Sequence, residues 1–187
     1  MSKHKSRQQA RIVNAAMAII QDEGLSRVNM SKLAETAGMT RQTLYNHFPD
    51  VESIITATLK MHGEAMQKHL VETTGAAEGA LAKLNAFAAF YIEAATHGHE
   101  NISLEAGLSA KNRAHVAEYE RAAFNLLESF VIDGVNEGTF PKGGDTEVLA
   151  HLVQGVINGG ASAALKRPAQ KAEVLRALAA AIFAILK

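Results

Sequence analysis

Apolar residues recur at three- and four-residue intervals along nearly the whole chain, which is the spacing of one face of an α-helix. In the first such stretch Ile12, Ala16 and Ile19 fall on one stripe, which Gly24 ends. This predicts a first helix of about residues 7–23. No segment alternates apolar and polar residues as a half-buried strand does. The pattern therefore predicts an all-α fold of about nine helices.

Further helices follow from glycine, proline and capping residues. Two helices of about two turns are predicted next, the first stopping at Gly38 and the second at Pro49. Asp50 is a good N-cap for a long fourth helix, whose apolar face continues to Leu70. The remaining predicted elements are a fifth helix ending near residues 97–99, a short element over 101–108, and helices over about 110–136, 146–166 and 170–186.

The two short helices have the form of a helix-turn-helix. They flank a tight turn at Gly38-Met39, and Thr40 is placed to cap the second of them. The buried side of that second helix has only Leu44 and Phe48. Its exposed side has hydrogen-bonding residues throughout: Arg41, Gln42, Thr43, Tyr45, Asn46 and His47.

These side-chain types suit contact with duplex DNA. Arginine binds guanine through two hydrogen bonds, glutamine and asparagine read adenine, threonine meets the thymine methyl group, and tyrosine and histidine donate to phosphates. An ordinary helical hairpin with a polar surface is the alternative, because helix-turn-helix geometry also occurs outside DNA-binding proteins.

The charge distribution agrees with a nucleic-acid contact at the N-terminal end. The chain has 19 basic and 19 acidic residues. Residues 1–48 hold seven Lys or Arg against three acids, a net charge of +4, so the remainder carries −4. Basic side chains gain free energy by releasing counterions from phosphate. A solvated surface would show the same charges.

Residues 7–55 resemble the N-terminal domain of the TetR family of transcriptional regulators. The resemblance is strongest in Ala34-x-x-Ala37-Gly38-Met39-Thr40, followed by Thr43-Leu44-Tyr45-Asn46-His47-Phe48. It implies that the third helix enters the major groove. The implied groove or base contacts are Arg41, Gln42, Thr43 and Asn46, with Tyr45 and His47 on the backbone and Asn29 where the family often has a phosphate-binding threonine. The capping Thr40 completes the predicted DNA-binding set.

The resemblance also implies that the chain has two domains with different functions. Residues 1–50 would form the DNA-binding domain, and residues 51–187 a helical domain for ligand binding and dimerisation. One departure concerns a lysine that commonly follows the phenylalanine, since this chain has Pro49-Asp50-Val51. Two roles stay open for the basic N-terminal residues Lys3, Lys5, Arg7 and Arg11: compensating contacts with phosphate, or a solvated, disordered tail, which is the more frequent state.

The last two helices are suited to pairing with a second copy. Gly155, Gly159 and Ala163 form a smooth ridge at four-residue spacing, and glycine within a helix costs about 1 kcal/mol relative to alanine. Close approach of another helix would offset that cost. The rest of the predicted dimer interface comprises Leu175, Leu178, Ile182 and Phe183. The alternative is close packing within one subunit.

A pocket for a small molecule is implied by the resemblance for residues 54–136. The candidate ligand-binding residues are His62, Met66, Phe87, Phe90, Tyr91, Tyr119, Phe124 and Asn158. Core packing is the alternative role for each, because aromatic and methionine stripes fill cores in many proteins. A mostly apolar pocket implies an apolar or aromatic effector with one or two polar groups.

The composition narrows the classes of function. The chain has no cysteine, which excludes disulfides, thiol nucleophiles and cysteine-ligated metals. No nucleophile with a base at motif spacing and no phosphate-binding glycine loop is visible, so neither an enzyme nor a cofactor is expected. The pair His97 and His99 beside Glu100 is interpreted as an ordinary loop rather than a metal site.

These observations favour a homodimeric, ligand-responsive repressor released from a near-palindromic operator in double-stranded DNA by a small-molecule effector. The apolar runs fall short of the ~18 residues of a membrane helix, so a soluble, cytoplasmic protein with no membrane contact is expected. Two alternatives stay open: a helical small-molecule carrier or enzyme with a different partner, and a nonspecific DNA-organising protein.

Overall fold

The computed structural model describes residues 3–96 and 107–187, and these form an all-α fold, as predicted. The described part of the chain has eight α-helices: α1 (Lys3–Glu23), α2 (Met30–Ala37), α3 (Arg41–Tyr45), α4 (Val51–Gly75), α5 (Ala80–Thr96), α6 (Ala110–Asn136), α7 (Thr146–Lys166) and α8 (Lys171–Leu186). Two short 3-10 helices, Leu25–Arg27 and Pro168–Gln170, complete it. The predicted element over 101–108 lies outside the described residues except for its last two positions.

Helix α1 differs from its predicted extent. It begins at Lys3 rather than near residue 7, so Lys5 and Arg7 are exposed residues of a helix and not part of an extended tail. The apolar stripe of α1 begins at Ile12, and residues before it have no apolar spacing from which a helix could be predicted. The helix therefore starts earlier than predicted, and contact of these basic residues with phosphate stays untested.

Side-chain caps fix the starts of two of the long helices. The Asp50 carboxylate accepts the backbone N–H of Ser53 at 2.7 Å, and the Ser53 hydroxyl donates to the Asp50 carbonyl at 2.7 Å. At the start of α7, the Asp145 carboxylate accepts the N–H groups of Glu147 and Val148 at 3.0 and 3.3 Å. Each cap satisfies donors that the first turn of a helix leaves unpaired.

The chain divides into two compact units. The first comprises Met1–Ala65 and Asn101–Glu118. Its core is formed by α1, α2, α3, the first half of α4 and Leu108, and its most deeply buried side chains are Ile12, Leu33, Leu44 and Ile54. The predicted domains meet at residue 50, whereas this unit also holds the start of α4, so the two divisions differ and the domain boundary stays a prediction.

The second unit comprises Met66–Glu100 and Tyr119–Lys187. Helices α5, α7 and α8 pack together there around side chains with no exposed surface, including Phe87, Leu127, Ile157 and Ile182. Helix α8 lies close to α7 at Gly160, where an added Cβ would be 3.2 Å from a methyl group of Leu178.

Helix α7 is strongly apolar, although few of its residues are buried. Among the described helices it alone is long and apolar enough, by length and composition, to cross a membrane, but only 28% of that apolar window is buried. A core helix of a soluble protein can satisfy the same two criteria, so this is weak support for a membrane span. It does show that much of an apolar helix is left uncovered by its own chain.

Candidate nucleic-acid interface

The turn between α2 and α3 is closed by backbone hydrogen bonds around Gly38. Gly38 has φ of 60°, in the left-handed region where a side chain is disfavoured. Its N–H donates to Glu35 at 3.0 Å, and the N–H of Met39 donates to Ala34 at 2.9 Å. This pair of bonds ends α2 and redirects the chain into α3, which confirms the turn predicted from Gly38-Met39.

Helix α3 is only five residues long and depends on its cap and its anchors. The Thr40 hydroxyl accepts the backbone N–H of Thr43 at 3.1 Å, which confirms the predicted cap. Leu44 is fully buried and Phe48 is 8% exposed, both in the core of the first unit. A helix this short is not stable alone in water, so these contacts hold it in place.

The outward face of α3 is polar over its whole length. Arg41, Gln42, Tyr45 and Asn46 are exposed, with Tyr45 at 46%, while Thr43 and His47 are half-buried. The amide of Gln42 donates to the Asn46 carbonyl oxygen at 3.3 Å, which aligns the two amides along the helix. The structure thus brings the six predicted residues of this helix and its end together on one small surface.

Asn29 has a definite structural role at the start of α2. Its Oδ1 accepts the N–H groups of Ser31 and Lys32 at 3.1 and 3.0 Å, and its Nδ2 donates to the Arg27 carbonyl at 3.2 Å. It is the N-cap of α2 and remains exposed. A phosphate contact by Asn29 stays a prediction, to which the structure adds the capping role.

Two basic residues of the first unit already bind protein groups. The Arg11 guanidinium donates to the carbonyl of Ala37 at 2.7 Å, and Lys32 forms an ion pair with Glu23. The Arg11 contact joins residues 26 positions apart. Sequence reasoning assigned Arg11 to the tail because no local pattern indicates so distant a partner.

Four aromatic rings of the second unit lie in mutual contact. Phe87 and Tyr91 stack with their centroids 4.8 Å apart, Phe90 meets Tyr91 at 6.0 Å, and His69 meets Phe90 at 5.5 Å. Phe87 is fully buried, whereas Phe90 and Tyr91 are half-buried and His69 is exposed. Three of these were predicted ligand-binding residues, and His69, which follows His62 by seven residues on α4, was not among them.

The other predicted ligand-binding residues are more dispersed. Phe124 stacks on His151 with centroids 4.4 Å apart. Asn158 is exposed and accepts a hydrogen bond from Gln154 at 2.8 Å. The remaining three are half-buried, and His62 belongs to the first unit whereas Met66 and Tyr119 belong to the second.

Within residues 3–96 and 107–187, no group of three or more His, Asp or Glu side chains is arranged to hold a metal ion. The pair His97 and His99 with Glu100, weighed above as a metal site, lies outside these residues.

The predicted dimer residues separate into covered and uncovered groups. At Gly155 and Gly159 an added Cβ would find no other atom within 4 Å, and Phe183 is 45% exposed. Ala163 and Leu175 are half-buried. Leu178 and Ile182, in contrast, are 4% and 0% exposed in the core of their own unit, so they offer little surface to a second chain.

Comparison with known proteins gives a family match within the first unit. The family model described as "Bacterial regulatory proteins, tetR family" matches residues 12–58. An HTH-type transcriptional regulator of Mycobacterium bovis is 34% identical over 70 residues, which are 37% of this chain and 37% of that protein. This match therefore spans little more than a third of the relative's length.

Two longer similarities extend over most of the chain. The fatty acid metabolism regulator protein of Bacillus subtilis is 23% identical over 165 residues, 83% of this chain and 82% of that protein. The crystal structure of the transcriptional regulator FadR from Bacillus subtilis in complex with stearoyl-CoA superposes with a TM-score of 0.75 at 19% identity. That superposition covers 95% of this chain and 97% of the other, so the fold is shared over nearly the full length.

The family model covers the predicted helix-turn-helix, and a known regulator shares the fold beyond it. The sequence resemblance is thereby confirmed for the N-terminal part of the chain: residues 12–58 match the tetR family model, and they contain the predicted helix-turn-helix.

Proposed function

We propose that the chain is a dimeric repressor that reads a near-palindromic operator and releases it when a small molecule binds. Residues 1–50 form its DNA-binding domain and residues 51–187 its effector and dimerisation domain. It acts in the cytoplasm, where chromosomal DNA is accessible to a bacterial regulator. The observation that carries the proposal is the polar face of α3, which is anchored by Leu44 and capped by Thr40.

The chemistry of that face matches a major groove. An α-helix fits this groove, and the exposed Arg41 can make two hydrogen bonds to guanine. Gln42 and Asn46 present amides suited to adenine, and their mutual hydrogen bond keeps both near one orientation before binding. Tyr45 and His47 are proposed to donate to backbone phosphates beside them.

A second copy is proposed to cover the outer face of α7 and α8. The exposed residues Val148, Leu152, Gly155 and Gly159 follow one stripe of α7, and Phe183 is exposed on α8. Contiguous apolar surface of this kind marks an interaction site in soluble proteins. Pairing places the DNA-reading helix α3 of each copy on one of two half-sites about 34–36 Å apart. Specific binding then requires both half-sites to match.

The effector is proposed to be mostly apolar with a polar end. The aromatic group of Phe87, Phe90 and Tyr91 supplies apolar surface, and the exposed His69 supplies a polar neighbour. The similarity to a fatty acid metabolism regulator makes long-chain acyl-CoA the first class to test. A complex with stearoyl-CoA is known for a protein of the same fold. A higher melting temperature in the presence of a long-chain acyl-CoA would support the proposal. Release of DNA by the same compound would show that the effector site and the DNA-binding surface are coupled.

The DNA-reading proposal is tested with Arg41→Ala and Tyr45→Phe. The probe is a duplex recovered from a random-sequence pool by binding to the wild-type chain. Loss of Arg41 should weaken binding by about 1–3 kcal/mol if it contacts guanine through two bonds. Circular dichroism and sedimentation should be unchanged for both variants.

Arg121→Ala provides the matched control, because Arg121 is equally an exposed arginine on a helix but belongs to the second unit. It should bind the selected duplex as the wild type does. If Arg41→Ala and Tyr45→Phe also bind normally, α3 is not the reading helix and a carrier function becomes the better explanation.

A further inference from the structure

Arg11 connects α1 to the turn of the helix-turn-helix. Its Nη2 atom donates to the carbonyl oxygen of Ala37, the last residue of α2, at 2.7 Å. The last carbonyls of a helix lack partners within the helix. The carbonyl oxygens of Glu35 and Ala34 already accept the backbone N–H groups of Gly38 and Met39. Arg11 therefore binds a carbonyl that those two bonds do not use.

The contact is close as well as polar. The position that a Cβ atom would take on Gly38 is 3.4 Å from the same Nη2 atom, so the guanidinium packs against the turn itself. A positive charge at the C-terminal end of a helix is also favoured by the helix dipole. Hydrogen bond, packing and charge thus all hold Arg11 at this turn.

We propose that Arg11 is a positioning residue for the reading helix: its guanidinium fixes the turn against α1 and so sets the orientation in which α3 is presented. The turn is short, since α2 ends at Ala37 and Thr40 already caps α3. A displacement of Ala37 is therefore passed directly to the first turn of α3. This inference rests on the proposed DNA-reading function, and it replaces the prediction that Arg11 contacts phosphate.

The first test needs no DNA. Amide hydrogen exchange at Gly38 and Met39, measured by NMR, should be several-fold faster in Arg11→Met than in the wild type, because the turn loses its link to α1. Arg7→Met is the matched control, since Arg7 is an exposed arginine about one turn earlier on α1, and it should leave both rates unchanged. Arg11→Lys should give intermediate rates because its ammonium can still donate to the carbonyl, and it serves as the test variant if Arg11→Met does not fold.

The second test separates positioning from phosphate binding through salt. On the duplex selected by the wild-type chain, Arg11→Met should bind several-fold more weakly at every salt concentration, with the slope of log affinity against log salt unchanged. A lost phosphate contact would instead reduce that slope by about 0.9. A reduced slope, or unchanged exchange at Gly38 and Met39, would overturn the assignment. Failure of the wild-type chain to select any duplex would count against the proposed function, while the exchange measurement would still decide whether Arg11 holds the turn.

Discussion

At the scale of single residues, Asn29 has an observed role as the N-cap of α2 and a predicted role as a phosphate contact. Its Oδ1 caps α2, and the residue stays exposed where a phosphate contact is proposed. Asn29→Ala and Asn29→Asp separate the two roles. Alanine removes the capping oxygen, whereas aspartate retains it and adds a negative charge.

We expect Asn29→Ala to lower the free energy of unfolding by about 1 kcal/mol, the usual cost of losing an N-cap. Asn29→Asp should keep the wild-type stability, because aspartate caps equally well and its charge suits a helix N-terminus. Its DNA affinity should nevertheless fall through repulsion of phosphate. Chemical denaturation and binding to the selected duplex measure the two effects. Normal DNA binding by Asn29→Asp would place phosphate away from this residue.

Gly134 allows a second prediction at the residue scale. An added Cβ there would be 2.1 Å from a ring carbon of Phe140, which is 3% exposed, and the N–H of Phe140 donates to the Gly134 carbonyl at 3.0 Å. Gly134→Ala should therefore destabilise the protein by about 1–3 kcal/mol, as overpacking of a core does. Gly75→Ala is the control, because its Cβ would find no atom within 4 Å. Equal melting temperatures for the two variants would show that Phe140 moves aside without cost.

At the scale of elements, the starts of α4 and α6 are joined by a buried polar contact within the first unit. The side chain of Asn112 has no exposed surface. Its amide nitrogen donates to the carboxylate of Glu52 at 2.8 Å, and its carbonyl oxygen accepts the hydroxyl of Thr56 at 2.9 Å. Ser109 also donates to the Glu52 carboxylate, at 2.5 Å. Both helices continue into the second unit, so this contact joins two chain segments that pass between the units.

Asn112→Ala removes two hydrogen bonds and a buried side chain, whereas Glu52→Ala leaves the buried amide nitrogen of Asn112 without its acceptor. Asn112→Ala should cost about 1–3 kcal/mol in unfolding free energy, whereas Asn125→Ala, at an exposed position of the same helix, should stay within about 0.5 kcal/mol of the wild type. A double-mutant cycle with Glu52→Ala should give a coupling energy of about 0.5–3 kcal/mol. Strict additivity of the two substitutions would mean that the contact contributes nothing to stability.

The same elements show what sequence could and could not predict. Gly38, Thr40 and Asp50 act through bonds to residues at most four positions away, so the turn and both caps were predictable from local chemistry. Arg11 was not, because its partner is 26 residues distant. The sequence assigned both Ile182 and Phe183 to the dimer interface, but the spacing of apolar residues alone cannot tell the inner side of α8 from its outer side. Ile182 faces the core of its own unit and Phe183 does not.

At the scale of the whole molecule, the unbalanced burial of α7 is the feature that calls for a second chain. Inside the second unit α7 contacts α5 and α8, yet only 28% of its apolar 18-residue stretch is buried. The glycines on its outer side give no packing within the chain, so their cost of about 1 kcal/mol each relative to alanine has no compensation there. In the proposed dimer a helix of the second copy would supply that compensation at Gly155 and Gly159, so Gly159→Leu should block pairing and leave a species of monomer mass in sedimentation.

Leu152→Glu tests the same surface with a charge instead of bulk. Leu152 is 52% exposed on the outer face of α7, and Val71, 51% exposed on α4, offers a control of matched exposure away from that face. A carboxylate buried without a partner is strongly unfavourable. Leu152→Glu should therefore raise the dimer dissociation constant by about tenfold or more, equivalent to at least ~1.4 kcal/mol, while Val71→Glu leaves it unchanged. Sedimentation equilibrium over a range of concentrations measures both constants, and the melting temperature of Leu152→Glu should lose its concentration dependence. A wild-type dissociation constant in Leu152→Glu would show that the α7 face is not the interface, and the spacing of the two reading helices on DNA would then need another origin.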